Sequence, residues 1–187
     1  MISKNQYPIK ITFRRTSRLS MRATKKGEIH VSAPLGMSQN TVNAFIDGHT
    51  AWMERVVVKM QAAVAAEIDF YGRLPLDSPQ QRLQAEQQLS TIVTPLLENY
   101  SKQMKVKPGI IMYKKMKSRW GLCNCGSGKI EFSLYLLLLP EWCIKSIVVH
   151  ELAHLRVPNH GSRFYALMDN YYPQWREARK YIKKVFS

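Results

Sequence analysis

Two short stretches near the N-terminus alternate strictly: Lys10 and Thr12 separate Ile9, Ile11 and Phe13, while His30 separates Ile29 from Val31 and Ser32 comes next. A period of two gathers the apolar residues on one face of a strand, and the pattern predicts a small antiparallel β-meander. Lys25, Lys26 and Gly27 supply a turn, Pro34 closes the last strand, and Ser38 offers an N-cap to a helix. The period then changes. Val42, Phe45 and Ile46 share one face of that helix, and after Gly48 a second helix carries Trp52, Val56 and Met60.

Asp69 to Ser78 contains Gly72, Pro75 and Ser78 with little periodicity. It reads as a linker, dividing the chain into an N-terminal part over residues 1–72 and a second domain over residues 73–187. From Pro79 to Met104 the spacing of Leu89, Ile92, Leu96 and Tyr100 predicts a long helix, which Pro95 should kink. A strand, straight or bent, comes next over roughly Gly109 to Cys123, then the turn Gly126-Ser127-Gly128, then a strand from Lys129 to Tyr135 with Ile130, Phe132 and Leu134 facing one way. Pro140 starts another helix. Strands and helices in separate runs define an α+β fold.

Composition narrows the classes. At 187 residues, 45% apolar and 22% charged, the chain has enough material to bury a core without a metal to hold it together, and disorder is excluded as its general state. The start, MISKNQYPIK, has no signal-peptide character, and the greasiest run, Leu134 to Leu139, is too short to span a membrane. With only three cysteines, two of them the close pair Cys123 and Cys125, a bridged secreted scaffold is not expected. A cytoplasmic location is.

The net charge of +15 changes the picture, because such a field attracts polyanions. Lys102, Lys105, Lys107, Lys114, Lys115, Lys117 and Arg119 run without an acidic interruption, as do Arg14, Arg15, Arg18, Arg22, Lys25 and Lys26. Nucleic acid becomes a candidate partner of these basic patches. A solvated face is the plainer reading, and no recognition motif accompanies them.

The chemistry concentrates in one helix. His150-Glu151-Leu152-Ala153-His154 is an H-E-x-x-H motif inside an apolar, helix-compatible run. Residues four apart lie one turn above each other, so both imidazoles reach one ion, while Glu151 sits about 100° around the helix and can touch a water beside it. Zinc suits neutral imidazole, and a catalytic site keeps three protein ligands with one open position. Pro158 should stop the helix near Arg156 and let the chain turn back, making His160 the third ligand. One Zn2+ so held lowers the pKa of its water to roughly 7, with Glu151 as general base. Arg119, Arg163 and Tyr165 are chemically able to stabilise an oxyanion. Leu152, Leu155, Ile144 and Val148 form the buried back of this helix. His30 and His49 read as ordinary histidines, Cys123-x-Cys125 lacks the partners of a second zinc site, and Trp120 reads as a core aromatic rather than a substrate platform.

Ser118-Arg119-Trp120-Gly121-Leu122-Cys123, Leu139-Pro140, the H-E-x-x-H run, Asn159-His160 and Phe164, in that order, resemble the YgjP-like (DUF45) metallopeptidase family, related to the WLM and SprT-like zinc peptidases. The resemblance implies a zincin-like catalytic core in which His150, His154 and His160 bind zinc and Glu151 is catalytic. It also implies protein or peptide substrates, for which the hairpin from Tyr113 to Tyr135 supplies an edge strand. The family pattern usually has serine at the positions of Leu122 and Gly161 and tryptophan at that of Tyr165, departures that touch substrate contacts rather than metal ligands. The wider group includes peptidases acting on DNA-attached proteins, in keeping with the charge. Two other readings use the same residues: a metal-dependent nucleotide pyrophosphatase, or a nucleic-acid-binding module with a structural zinc, which leaves Glu151 without a task.

Overall fold

The computed structural model describes residues 7–24 and 26–185. Six strands and six α-helices run in the order β1 (Ile9–Arg14), β2 (Ser20–Ala23), β3 (Ile29–Pro34), α1 (Gln39–Gly48), α2 (Thr50–Gly72), α3 (Pro79–Met104), β4 (Ile111–Lys114), β5 (Gly121–Asn124), β6 (Lys129–Ser133), α4 (Glu141–His154), α5 (Ser162–Tyr171) and α6 (Trp175–Lys184). The fold is α+β, with two units, Met1–Ile68 and Asp69–Ser187. No described helix is long and apolar enough to cross a membrane.

In the first unit the strands are not the expected antiparallel meander. Their order is β1-β3-β2, with β1 parallel to β3 and β2 antiparallel to it. Burial explains the rearrangement: Ile29, Val31 and Ala33 of β3 are all buried, whereas β1 and β2 contribute only half-buried residues. The strand with the most apolar surface to hide takes the centre and the wetter ones become edges. Val42, Ile46, Met53 and Val57 of the helices complete this core. Ser38 does cap α1, its Oγ accepting from the Thr41 N–H. Lys25, part of the expected turn, lies outside the described residues.

The expected linker from Asp69 is shorter than the sequence suggested, since α2 continues to Gly72 and its last turn buries Phe70 and Tyr71 in the core of the second unit. Ser78 and Gln81 then form a reciprocal capping box on α3, which continues through Pro95.

The stretch read as one strand from Gly109 to Cys123 is two. β4 and β5 lie on opposite sides of β6, β4 parallel and β5 antiparallel, in the order β4-β6-β5. Again the central strand is the buried one, with Ile130 and Phe132 fully covered. The segment between β4 and β5 crosses β6 and is pinned there: Tyr71 donates its hydroxyl to the Lys117 carbonyl at 3.0 Å, and Ser133 Oγ donates to the Met116 carbonyl at 2.6 Å. β6 ends at Ser133, earlier than expected, and Leu134–Leu138 form a 3-10 turn that leads into α4. The Gly126–Gly128 turn is held by Asn124, whose Oδ1 accepts from the N–H groups of Gly126 and Ser127.

α4 is apolar nearly all round, as a helix surrounded by other elements must be. Ile144, Val148, Val149, Leu152 and Ala153 are buried, and Leu155, expected on the same face, is half-buried at the helix end. The helix packs against α3, α5, α6 and β5. A polar residue kept inside such a helix asks for an explanation, and Glu151 is one.

Candidate metal centre

Helical spacing places His150 and His154 one turn apart on α4, with their Nε2 atoms 3.2 Å from each other. α4 ends at His154, and the loop carrying Pro158 turns the chain back, so that His160 Nε2 comes within 3.0 Å of His150 Nε2. Two nitrogens bound to one tetrahedral ion at about 2.0–2.1 Å lie roughly 3.3 Å apart, so the two separations from His150 are of the size a shared ion would require. His154 also touches the Val157 carbonyl through Nδ1 at 3.3 Å. A carbonyl only accepts, so Nδ1 carries the proton and Nε2 turns its lone pair toward the other imidazoles. These three histidines are the group of His, Cys, Asp and Glu side chains able to hold a metal ion among the described residues.

Phe164, fully buried on α5, touches all three rings, with centroids 4.8 Å from His150, 4.6 Å from His154 and 4.7 Å from His160. Its packing restricts the imidazoles from below. Sequence patterning offered no physical reason to assign it this role, since a buried phenylalanine on an amphipathic helix is ordinary core.

Burial pushes the His150 imidazole down to about 3, with the neighbouring His154, His160 and Arg179 acting in the same direction, and burial also lowers His154. Neutral imidazoles are the form that binds metal. Glu151, 5% exposed, has its carboxyl pushed up to about 8 by burial, against the opposing influence of the Arg119 charge and a hydrogen bond from the Cys123 backbone N–H. Groups shifted this far by a cleft are what functional sites contain.

Glu151 is seated by β5. A Cβ added to Gly121 would collide with Glu151 Oε1 and stand 2.7 Å from its Cδ and Cγ. The carboxylate therefore occupies the space that a side chain at position 121 would take. Gly121→Ala is expected to leave fold and metal content intact, because a flexible side chain can swing aside. A shift of about 1 Å in a reacting group costs on the order of a hundredfold, and kcat with unchanged metal stoichiometry is the measurement.

A cavity of about 440 Å³ opens over these groups, lined by Arg119, Cys123, Glu151 and the three histidines among others. Arg119 thus lies at the site. Tyr165 lines a neighbouring cavity with His150, whereas Arg163 is exposed and lines neither. Trp120 is half-buried: it packs edge-on against Phe70 at 6.2 Å and also faces the neighbouring cavity, so it is both core aromatic and site wall. Burial drives the Cys123 thiol up to about 12, with Cys125 and Glu151 adding to the effect, which keeps it protonated. His30 faces Glu28 and His49 bonds the Phe45 carbonyl, both within the first unit.

The basic run is partly neutralised. Lys114 and Lys129 both reach Glu131 at 2.7 Å and hold its carboxyl below the usual range, and Lys115 reaches Asp77 at 2.8 Å. Lys117 lies over the Tyr71 ring.

Comparison with known proteins adds a family. The chain is 25% identical to the metallopeptidase zymogen abylysin of Pyrococcus abyssi, over 49% of this chain and 92% of that one, with a TM-score of 0.46. It is 21% identical to the metallopeptidase zymogen jannalysin of Methanocaldococcus jannaschii, over 50% of this chain and 96% of that one, with a TM-score of 0.44. No curated protein matches the chain. The family described as YgjP-like, metallopeptidase domain, matches residues 80–185, a span holding Gly121, Glu151 and all three clustered histidines. A match over more than half of its length makes this chain a member of the YgjP-like metallopeptidases, and hence a peptidase-like hydrolase of a metal-dependent family.

Proposed function

We propose that the protein is a zinc peptidase with a zincin-like site, in which His150, His154 and His160 hold one ion and Glu151 is the general base. The observation that carries this is the meeting of three imidazole nitrogens beside a buried carboxylate, all opening on one cavity. Zinc in that position supplies Lewis acidity, making a water easier to deprotonate and a carbonyl easier to attack.

The chain's own residues do the rest. Glu151 accepts the proton of the attacking water on a carboxylate oxygen and returns it to the leaving nitrogen, and the Cys123 N–H keeps that carboxylate oriented between the two transfers. The cation of Arg119, on the same cavity wall, favours negative charge developing on the carbonyl oxygen. β5 borders Glu151 as an edge strand, so its backbone is the one to which an extended peptide adds.

Chelator-stripped protein should be inactive on an unfolded protein such as casein, with one equivalent of zinc per chain restoring cleavage. Proteolysis that persists after complete stripping would refute the proposal. Release of pyrophosphate from nucleoside triphosphates by the zinc-loaded protein, with casein untouched, would replace it with phosphoanhydride chemistry.

A further inference from the structure

The second cavity at the centre, of about 350 Å³, is lined by His150 and His160 but by neither His154 nor Glu151. Its volume lies in the range of pockets that admit a small organic group, roughly 300–1,000 Å³. Trp120, Ile147, Met168 and Trp175 supply apolar wall, and His150 and His160 border it, so whatever enters lies against the metal centre. The wall is preformed. Trp175 is buried, stacks on Tyr165 with centroids 5.1 Å apart and planes at 16°, and donates its Nε1 hydrogen to Asp169 at 2.7 Å.

One lining residue differs in kind. Arg179 lies four positions after Trp175 on α6 and three before Ile182, so helical periodicity turns all three to the cavity they line. Arg176 on the same helix is committed to Asp169. Arg179 has no carboxylate partner among the described residues. A guanidinium is always charged and its fork of donors matches a carboxylate or a phosphate, of which the peptides a peptidase takes carry the carboxylate. An apolar recess with such a cation in its wall suits a ligand with an apolar stem and a carboxylate.

We propose that this cavity is a substrate subsite beside the scissile bond, selecting a carboxylate-bearing residue whose stem lies between Trp120 and Trp175 and whose anion meets Arg179. The proposal rests on the peptidase reading above. The carboxylate has two sources, an acidic side chain or the C-terminus of the substrate, and the overall charge of +15 draws acidic peptides in either case.

Binding can be read without turnover. Tryptophan fluorescence of the metal-free protein should report 3-phenylpropionate binding at least about tenfold more tightly than its amide, the lower end for a hydrogen bond to a charged group because Arg179 is solvent-exposed. That preference should vanish in Arg179→Gln and return in Arg179→Lys. Equal binding of acid and amide, or a preference that survives Arg179→Gln, overturns the subsite.

Turnover identifies the source of the carboxylate. Four quenched fluorescent peptides carry Glu or Gln beside the cleaved bond, each with a free or amidated C-terminus. A higher kcat/KM for Glu over Gln assigns the side chain, and one for the free over the amidated end assigns the terminus. Glu151-dependent cleavage of all four at equal rates sinks the subsite alone. Failure of the zinc-loaded wild type to cleave any of them sinks the peptidase reading with it.

Discussion

Glu151→Gln is expected to lower kcat for peptide hydrolysis by about 10²–10⁴-fold, the usual contribution of a positioned general base, while the protein keeps its zinc. Glutamine has the shape of glutamate and can still accept the Cys123 N–H through its amide oxygen, so the pocket beside Gly121 stays filled. What is lost is the capacity to hold a proton between attack and departure of the leaving nitrogen. Metal analysis should show unchanged stoichiometry, since the proposed ligands are the three imidazoles, and thermal unfolding should not drop, because glutamine fills the same space and carries no charge to bury. Turnover within tenfold of the wild type would remove Glu151 from the mechanism.

His160→Ala should weaken zinc binding by more than about a hundredfold, since even the outer partners of metal ligands are worth 10–100-fold. This substitution separates site from scaffold better than either helical histidine. His160 is exposed and sits in the loop after α4, whereas His150 and His154 are half-buried in the helix at the centre of the unit. Removing its ring should leave the unfolding temperature of the metal-free protein within a few degrees of wild type. The two-histidine remnant should lose its zinc to a moderate chelator that the wild type resists. Retention of zinc by His160→Ala at wild-type affinity would mean that the ion is held otherwise.

The two effects have different signatures, one on the chemical step with metal retained and one on metal retention itself. Gly121→Ala falls with the first, although it touches neither the ion nor the proton. Its Cβ displaces Glu151 from the space it fills between β5 and α4.

Much of this was legible in the residues because it depends on local periodicity. A spacing of four on a helix puts His150 above His154 whatever the rest of the chain does, and an apolar surround makes that helix a buried one. The long α3 and the cap of α1 at Ser38 obey local rules of the same kind. Strand order does not. Alternation says which face of a strand is buried but not which neighbour it takes, and in both sheets the last strand enters between the other two because it has the most apolar surface to cover. The break between β4 and β5 was hidden for a related reason: the crossing from Lys115 to Trp120 holds no glycine or proline, so the sequence carries no turn signal where the structure has two strands.

The sequence by itself thus determined that two imidazoles and a carboxylate share one buried helix, because those relations act over a single turn. Only the tertiary structure decided what surrounds them: the ring of Phe164 beneath the histidines, Gly121 and the Cys123 N–H seating Glu151, and Arg179 in the wall of the neighbouring cavity. Those residues come from α5, β5 and α6, and contacts between elements far apart in the chain depend on how the whole core closes, which no local pattern records.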